Sequence, residues 1–224
     1  AAALLESLGA EPVADPMLAV ESTGAVPVDA PYVVLTSKTG VELAAERGWT
    51  PGDVTLVAIG PATAAAAREA GWTVDIVPDE YTSAGLVAAL DGAVDGERVE
   101  VARSDHGSDV LLDGLRAAGA EVNETVLYRL TRPDGAGESA ALAAEGGLDA
   151  VAFTSSLTVV HFLDAAADRG VREDAIAGLN DAVVGAIGPP TAETAAEHGV
   201  DVEVVPEDAA FDSLAGAVVD AVTT

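Results

Sequence analysis

The chain is written twice. Leu35-Thr36-Ser37 returns as Phe153-Thr154-Ser155, and Ala58-Ile59-Gly60-Pro61-Ala62-Thr63-Ala64 returns as Ala186-Ile187-Gly188-Pro189-Pro190-Thr191-Ala192. Val77-Pro78 is matched by Val205-Pro206, and Leu8-Gly9-Ala10-Glu11 by Ala118-Gly119-Ala120-Glu121. The separation of the partners grows along the chain, from about 110 to about 128 residues. That is the mark of a duplicated unit with insertions, not of a solenoid with a fixed period. With 224 residues there is room for two related units, each of ordinary small-domain size.

Within each copy, short apolar runs alternate with Ala-rich amphipathic stretches. The runs predict strands at 32–35, 54–59, 73–77, 98–101, 121–122, 150–153, 182–187 and 202–205. Helices are predicted at 4–8, 39–47, 61–70, 83–90, 108–118, 157–168, 189–198 and 211–222, most closing on a glycine just past the last turn. Strand–helix alternation with short links implies an α/β fold, two similar domains with parallel sheets flanked by helices. In the second copy a strand, 98–101, precedes the helix that starts near Ser108. Its counterpart in the first copy would lie ahead of Ala1, so the expectation is an N-terminally truncated first unit.

Composition narrows the function. Half of the residues are apolar, enough for a core, yet only 4% are aromatic, so that core is built from Ala, Val, Leu and Ile. No apolar run is long enough for a membrane span and no signal peptide is evident, so a cytoplasmic protein is expected. The absence of cysteine excludes disulfides, thiolate metal sites and cysteine nucleophiles. A net charge of −28, from 38 acidic against 10 basic side chains, argues against nucleic acid and anionic lipid as partners. The acids are spread along the chain rather than gathered in a tail, the pattern of adaptation to a salt-rich cytoplasm, where screening shortens the reach of self-repulsion.

The repeated motifs are the candidate site. Both Thr-Ser pairs and both Gly-Pro-x-Thr-Ala segments stand at the carboxyl end of a predicted strand, just before a helix. Open parallel sheets bind ligands there, and helix N-termini offer unpaired N–H groups to anions. Simple N-capping explains any one of these residues equally well. Lys38, the only lysine, follows the first Thr-Ser pair, but no upstream glycine completes a P-loop, and Gly185-x-x-Gly188 is not a dinucleotide fingerprint. His106, His161 and His198 lack metal-ligand spacing and read as exposed helix or loop residues. Asp105, His106 and Ser108 are too close in sequence for a triad.

The set of motifs resembles the uroporphyrinogen-III synthase family over nearly the whole chain. The resemblance is carried by Leu8-Gly9-Ala10-Glu11 with Pro16-Met17-Leu18, both Thr-Ser motifs, both Gly-Pro motifs, Tyr81-Thr82-Ser83 with Leu86, Gly119-Ala120-Glu121-Val122, and Val126-Leu127-Tyr128-Arg129. The resemblance implies two α/β domains joined by a two-stranded linker ladder. One would be discontinuous, 1–16 plus 134–224, and the other inserted, 27–122, with 17–26 and 123–133 as the linkers. It implies cyclisation of hydroxymethylbilane to uroporphyrinogen III, with inversion of ring D and loss of water. No cofactor or metal is implied, and a monomer is expected.

Carried over position by position, the resemblance makes Tyr128 the catalytic residue. Substrate would be bound by Thr36, Ser37, Lys38, Tyr81, Thr82, Ser83, Arg103, Ser104, Thr154, Ser155, Ser156 and Thr191. Arg129 and Arg132 would add positive charge. This chain departs from the family at Thr39, where many members carry a basic residue, and in the missing first strand with its arginine. A non-catalytic, two-lobed protein that binds an anion or other small molecule is the alternative reading.

The dispersed charge makes one expectation independent of function. The thermal midpoint should fall as KCl is lowered from ~3 M towards ~0.1 M, with most of the loss below ~0.5 M, as screening weakens and the Debye length grows towards about 10 Å. A midpoint that stays flat over this range, measured by circular dichroism, contradicts the salt-adaptation reading.

Overall fold

A short helix, α1 (Ala2–Ser7), opens the chain in the computed structural model, which describes residues 1–223. The chain divides into two compact units, one of Ala1–Ala19 with Thr131–Thr224 and one of Val20–Leu130. The five-stranded sheet contains β1 (Ala19–Ser22), β2 (Tyr32–Leu35), β3 (Thr55–Ala58), β4 (Arg98–Ser104) and β5 (Glu121–Thr131), in the order β1-β5-β4-β2-β3. β2 is parallel to β3 and β4, and β4 is parallel to β5.

Parallel neighbours need crossover connections. Here these contain α2 (Lys38–Glu46), α3 (Pro61–Glu69), α4 (Ser83–Leu90) and α5 (Asp109–Ala117). Alternation along each strand sends side chains to two cores. Val33, Leu35, Leu56 and Ala102 pack with Val41, Ala44, Ala67 and Trp72, whereas Val34, Val57, Val99 and Val101 pack with Leu86, Leu90, Leu111 and Leu115. Trp49 meets Trp72 edge to face with ring centroids 5.1 Å apart.

The other unit continues with α6 (Glu138–Ala144), β6 (Ala150–Phe153), α7 (Ser156–Asp168), α8 (Arg172–Asn180), β7 (Val183–Ala186), α9 (Pro189–Glu197) and α10 (Phe211–Val222). β6 and β7 form a parallel pair with Phe153 opposite Ala186. Its core gathers Phe153, Val159, Phe162, Leu163, Leu179 and Val184. No helix of the described residues is long and apolar enough to cross a membrane.

Two expected strands are reduced to single bridges. In 73–77 only Ile76 bridges, to Val57, and in 202–205 only Val204 bridges, to Gly185. Pro78 and Pro206 follow two residues later and have no N–H to extend either ladder. Two helices escaped the sequence pattern because small residues make their contact. Gly178 of α8 comes so close to α6 that an added Cβ would lie 1.8 Å from the Ala143 carbonyl oxygen. The predicted strand 121–122 is the start of β5, which runs for 11 residues.

One core residue is out of character. Glu100 on β4 is fully buried; its Oε2 accepts from Asn123 Nδ2 at 2.6 Å, and its Oε1 has no hydrogen-bond partner. Such a buried unsatisfied oxygen costs about 1–3 kcal/mol. Glu100→Met should therefore raise the urea midpoint with unchanged slope, by ~1 kcal/mol or more. Because Asn123 is exposed, its freed amide can turn to water. Destabilisation of that size instead would contradict the assignment of Glu100 as a cost to the fold.

Candidate functional site

The carboxyl edge of the five-stranded sheet collects the starts of the helices that follow its strands. At the end of β2, Ser37 is the N-cap of α2, its Oγ accepting from the Gly40 amide at 3.0 Å. The amides of Lys38 and Thr39 make no hydrogen bond among the described residues. The Tyr128 phenol, 7% exposed, donates to the same Ser37 Oγ at 3.0 Å. A hydroxyl accepts twice and donates once. Both acceptor places of Ser37 are filled, so its proton is left for a ligand. Thr36 stands beside it, with its amide 3.5 Å from the Ala102 carbonyl.

At the end of β3, Gly60 and Pro61 start α3, leaving the amides of Ala62 and Thr63 without a partner among the described residues. The Tyr81 side chain packs over Gly60, 3.3 Å from where a Cβ would be, while its residue remains 59% exposed. Thr82 caps α4 through the Gly85 amide at 3.0 Å, and Ser83 is the first residue of that helix. Thr63, part of the repeated motif but not among the residues the resemblance carried over, is 4% exposed, as is its repeat counterpart Thr191. Neither hydroxyl has a hydrogen-bond partner among the described residues. The repeat itself was the signal that could have found Thr63.

The four cations differ in what they can offer a ligand. Arg103 is buried: its Nε lies 2.6 Å from Glu124, its Nη1 donates to the Ser108 carbonyl at 2.6 Å, and Asp109 lies 3.7 Å away. It also packs against Gly107, where a Cβ would fall 2.4 Å from its Cδ. Arg132 pairs with Asp168 and reaches the His161 carbonyl at 3.5 Å. Lys38 makes only an exposed i,i+4 pair with Glu42 at 3.5 Å, a weak contact in water. Arg129 is exposed, next to Tyr128, and has no side-chain partner among the described residues. Lys38 and Arg129 are therefore the available charges. Ser104 ends β4 beside Arg103.

In the other unit, Ser155 caps α7 through a reciprocal box. Its Oγ accepts from the Thr158 amide, and Thr158 Oγ1 accepts from the Ser155 amide, both at 3.2 Å. Thr154 is exposed before it. Ser156 donates to the Pro190 carbonyl at 3.0 Å and accepts from Thr194 Oγ1 at 2.9 Å, tying the starts of α7 and α9 together. Thr194 carried no sequence signal. Pro189 and Pro190 remove two amides from the start of α9, leaving the Thr191 hydroxyl as its unpaired donor.

His161 is not the exposed residue expected. It is half-buried, and its Nδ1 lies 2.6 Å from the Met17 carbonyl, which can only accept, so Nδ1 carries the hydrogen. A cavity of about 400 Å³ lies beside it, lined by Arg132, Asp164, Ala167 and Asp168. Among the described residues no three His, Cys, Asp or Glu side chains are grouped to hold a metal.

Comparison with known proteins agrees with this architecture. A family model described as uroporphyrinogen-III synthase HemD matches residues 1–216. A putative uroporphyrinogen-III synthase of Methanothermobacter thermautotrophicus is 39% identical over 184 residues, covering 78% of this chain and 72% of that protein. The uroporphyrinogen-III synthase of Synechococcus elongatus is 28% identical over 195 residues, covering 83% and 73%. In fold, the chain is similar to a mutant uroporphyrinogen III synthase from Thermus thermophilus, at TM-score 0.64 and 23% identity, covering 95% and 89% of the two chains. It is also similar to uroporphyrinogen-III synthetase from Helicobacter pylori, at TM-score 0.65 and 15% identity, covering 88% and 87%. With a family model matched over almost its whole length and a relative 39% identical, the chain belongs to the uroporphyrinogen-III synthase family.

Proposed function

We propose that the chain cyclises hydroxymethylbilane to uroporphyrinogen III, with Tyr128 and Ser37 together supplying the proton that releases the terminal hydroxyl as water. The observation that carries this is the phenol donating to Ser37 Oγ at 3.0 Å, with the serine proton left over at the carboxyl edge of the sheet. Donation along two linked O–H groups strengthens the outer one. As the C–O bond breaks, that proton leaves with the hydroxyl as water, and the terminal pyrrole becomes an azafulvenium cation. The substituted carbon of ring D attacks it. The spiro intermediate fragments and recloses with ring D inverted, and loss of a ring-carbon proton returns the proton to the protein. Most of the catalysis is orientation, which holds the flexible chain in the bent form that reacts.

The substrate is a polycarboxylate approaching a strongly acidic protein, so attraction has to be local. In the unit of residues 20–130 the unpaired amides of Lys38, Thr39, Ala62 and Thr63 supply it, with the charges of Lys38 and Arg129; in the other unit, taken by itself, the Thr191 hydroxyl is the candidate donor. Arg103 serves by fixing the end of β4 rather than by meeting substrate. Thr36, Tyr81, Thr82, Ser83, Ser104, Thr154, Ser155 and Ser156 shape the surroundings. In this reading 17–26 and 123–133 are the connecting segments of a two-domain monomer that works in the cytoplasm without a cofactor.

Two results are expected. Tyr128→Phe keeps the thermal midpoint but lowers the rate of uroporphyrinogen III formation about ten-fold or more, which corresponds to ~1.4 kcal/mol in the transition state. An unchanged rate would make the phenol a packing group. Lys38→Ala and Arg129→Ala should each raise KM several-fold with kcat nearly unchanged, as loss of uniform binding does. A fall in kcat at constant KM would place these charges in the chemical step instead.

A further inference from the structure

β5 carries one residue too many where it passes Ser37. Arg103 pairs with Val126, but the next residue of β4, Ser104, pairs with Tyr128. Leu127 is therefore the extra residue of a β-bulge. In a regular strand, consecutive side chains go to opposite faces. Here Leu127 and Tyr128 both pack into one cluster with Val33, Leu35 and Val41. Bulges redirect side chains in this way and kink the strand that carries them.

The bulge is held from several sides. The Thr23 amide donates to the Leu127 carbonyl at 3.0 Å, and Thr23 Oγ1 donates to the Val126 carbonyl at 2.7 Å. The Leu127 side chain fits where α2 has a glycine: a Cβ on Gly40 would lie 3.2 Å from Leu127 Cδ1. The loop after β4 closes the other side. The Asp105 amide donates to the Tyr128 carbonyl at 3.2 Å, and Asp105 Oδ1 accepts from the Leu130 amide at 3.1 Å. Asp105 Oδ1 also lies 2.8 Å from His106 Nδ1. Burial works to raise the pKa of Asp105, but the hydrogen bonds from His106 and the Leu130 amide outweigh it and hold the carboxyl below its usual range.

We propose that Asp105 is a positioning residue for the reaction: by holding the Leu130 amide it locks the bulge at Leu127 and so aims the Tyr128 phenol at Ser37. The proposal rests on the reading of Tyr128 as proton donor. Asp105 touches no reacting atom in it, and His106 orients the carboxylate.

The test is a double-mutant cycle in molar KCl, with amide exchange read alongside. Asp105→Ala should lower kcat about ten-fold with KM within about two-fold, and should cause little further loss in a Tyr128→Phe background. Asp105→Asn keeps an acceptor for Leu130 and should stay within about three-fold of the parent. Slow exchange of the Leu130 amide should be lost in Asp105→Ala and kept in Asp105→Asn. Full multiplication of the two losses, an Asn variant as impaired as Ala, or retained Leu130 protection in Asp105→Ala each overturns the proposal. If Tyr128→Phe alone is silent, the proton-donor reading fails, and the exchange result still decides whether Asp105 holds the bulge. Should Asp105→Ala not fold, Asp105→Glu, which displaces the carboxylate by one methylene, is measured in its place.

Discussion

A parallel sheet delivers its strands to one edge, and the helices that follow begin there. That constraint organises this molecule. Within residues 20–130 it puts the unpaired amides at the starts of α2 and α3 along the carboxyl edge of the sheet. It also explains how a chain of net charge −28 can serve a polycarboxylate. Backbone N–H groups and the helix dipole act over a few ångströms and need no surplus of basic side chains. Salt weakens the long-range repulsion far more than these short contacts.

The duplicated units have not kept the same chemistry. Ser37 is open, accepting from Gly40 and Tyr128 with its own proton to spare, whereas Ser155 is closed into a capping box with Thr158. The start of α3 presents the amides of Ala62 and Thr63, whereas α9 has Pro190 in the first of these places and its Thr191 amide is taken by the Gly188 carbonyl at 3.1 Å. What both retain is a buried, unpartnered threonine, Thr63 and Thr191. The unit with the open serine also holds Tyr128, whose phenol donates to that serine.

Legibility in the sequence followed the range of the interactions. The helices at Ser83–Leu90, capped locally by Thr82, and at Phe211–Val222 were found to the residue because their apolar pattern is contiguous in sequence. α6 was missed because its start is held by Asp15, which accepts from the Gly137 and Ser139 amides across more than a hundred residues of chain. α8 was missed because Gly178, not a large apolar residue, makes its contact. At the site, the motif residues were visible through the repeat and through family resemblance, but their partners were not. Nothing local in Arg103 announces that Glu124 and the Ser108 carbonyl occupy it. A bulge at Leu127 leaves no trace in periodicity, since one inserted residue looks like ordinary apolar sequence.

In the proposed reading this carboxyl edge directs which carbon of ring D is attacked. The most direct measurement is the isomer composition of the uroporphyrinogen formed from hydroxymethylbilane in molar KCl, with and without the protein. Spontaneous closure gives the type I isomer. The protein should divert the product to type III, and it should do so without added metal or cofactor. Product that remains type I, from folded protein at a concentration that saturates the substrate, would contradict the claim and leave a binding protein with no part in the cyclisation.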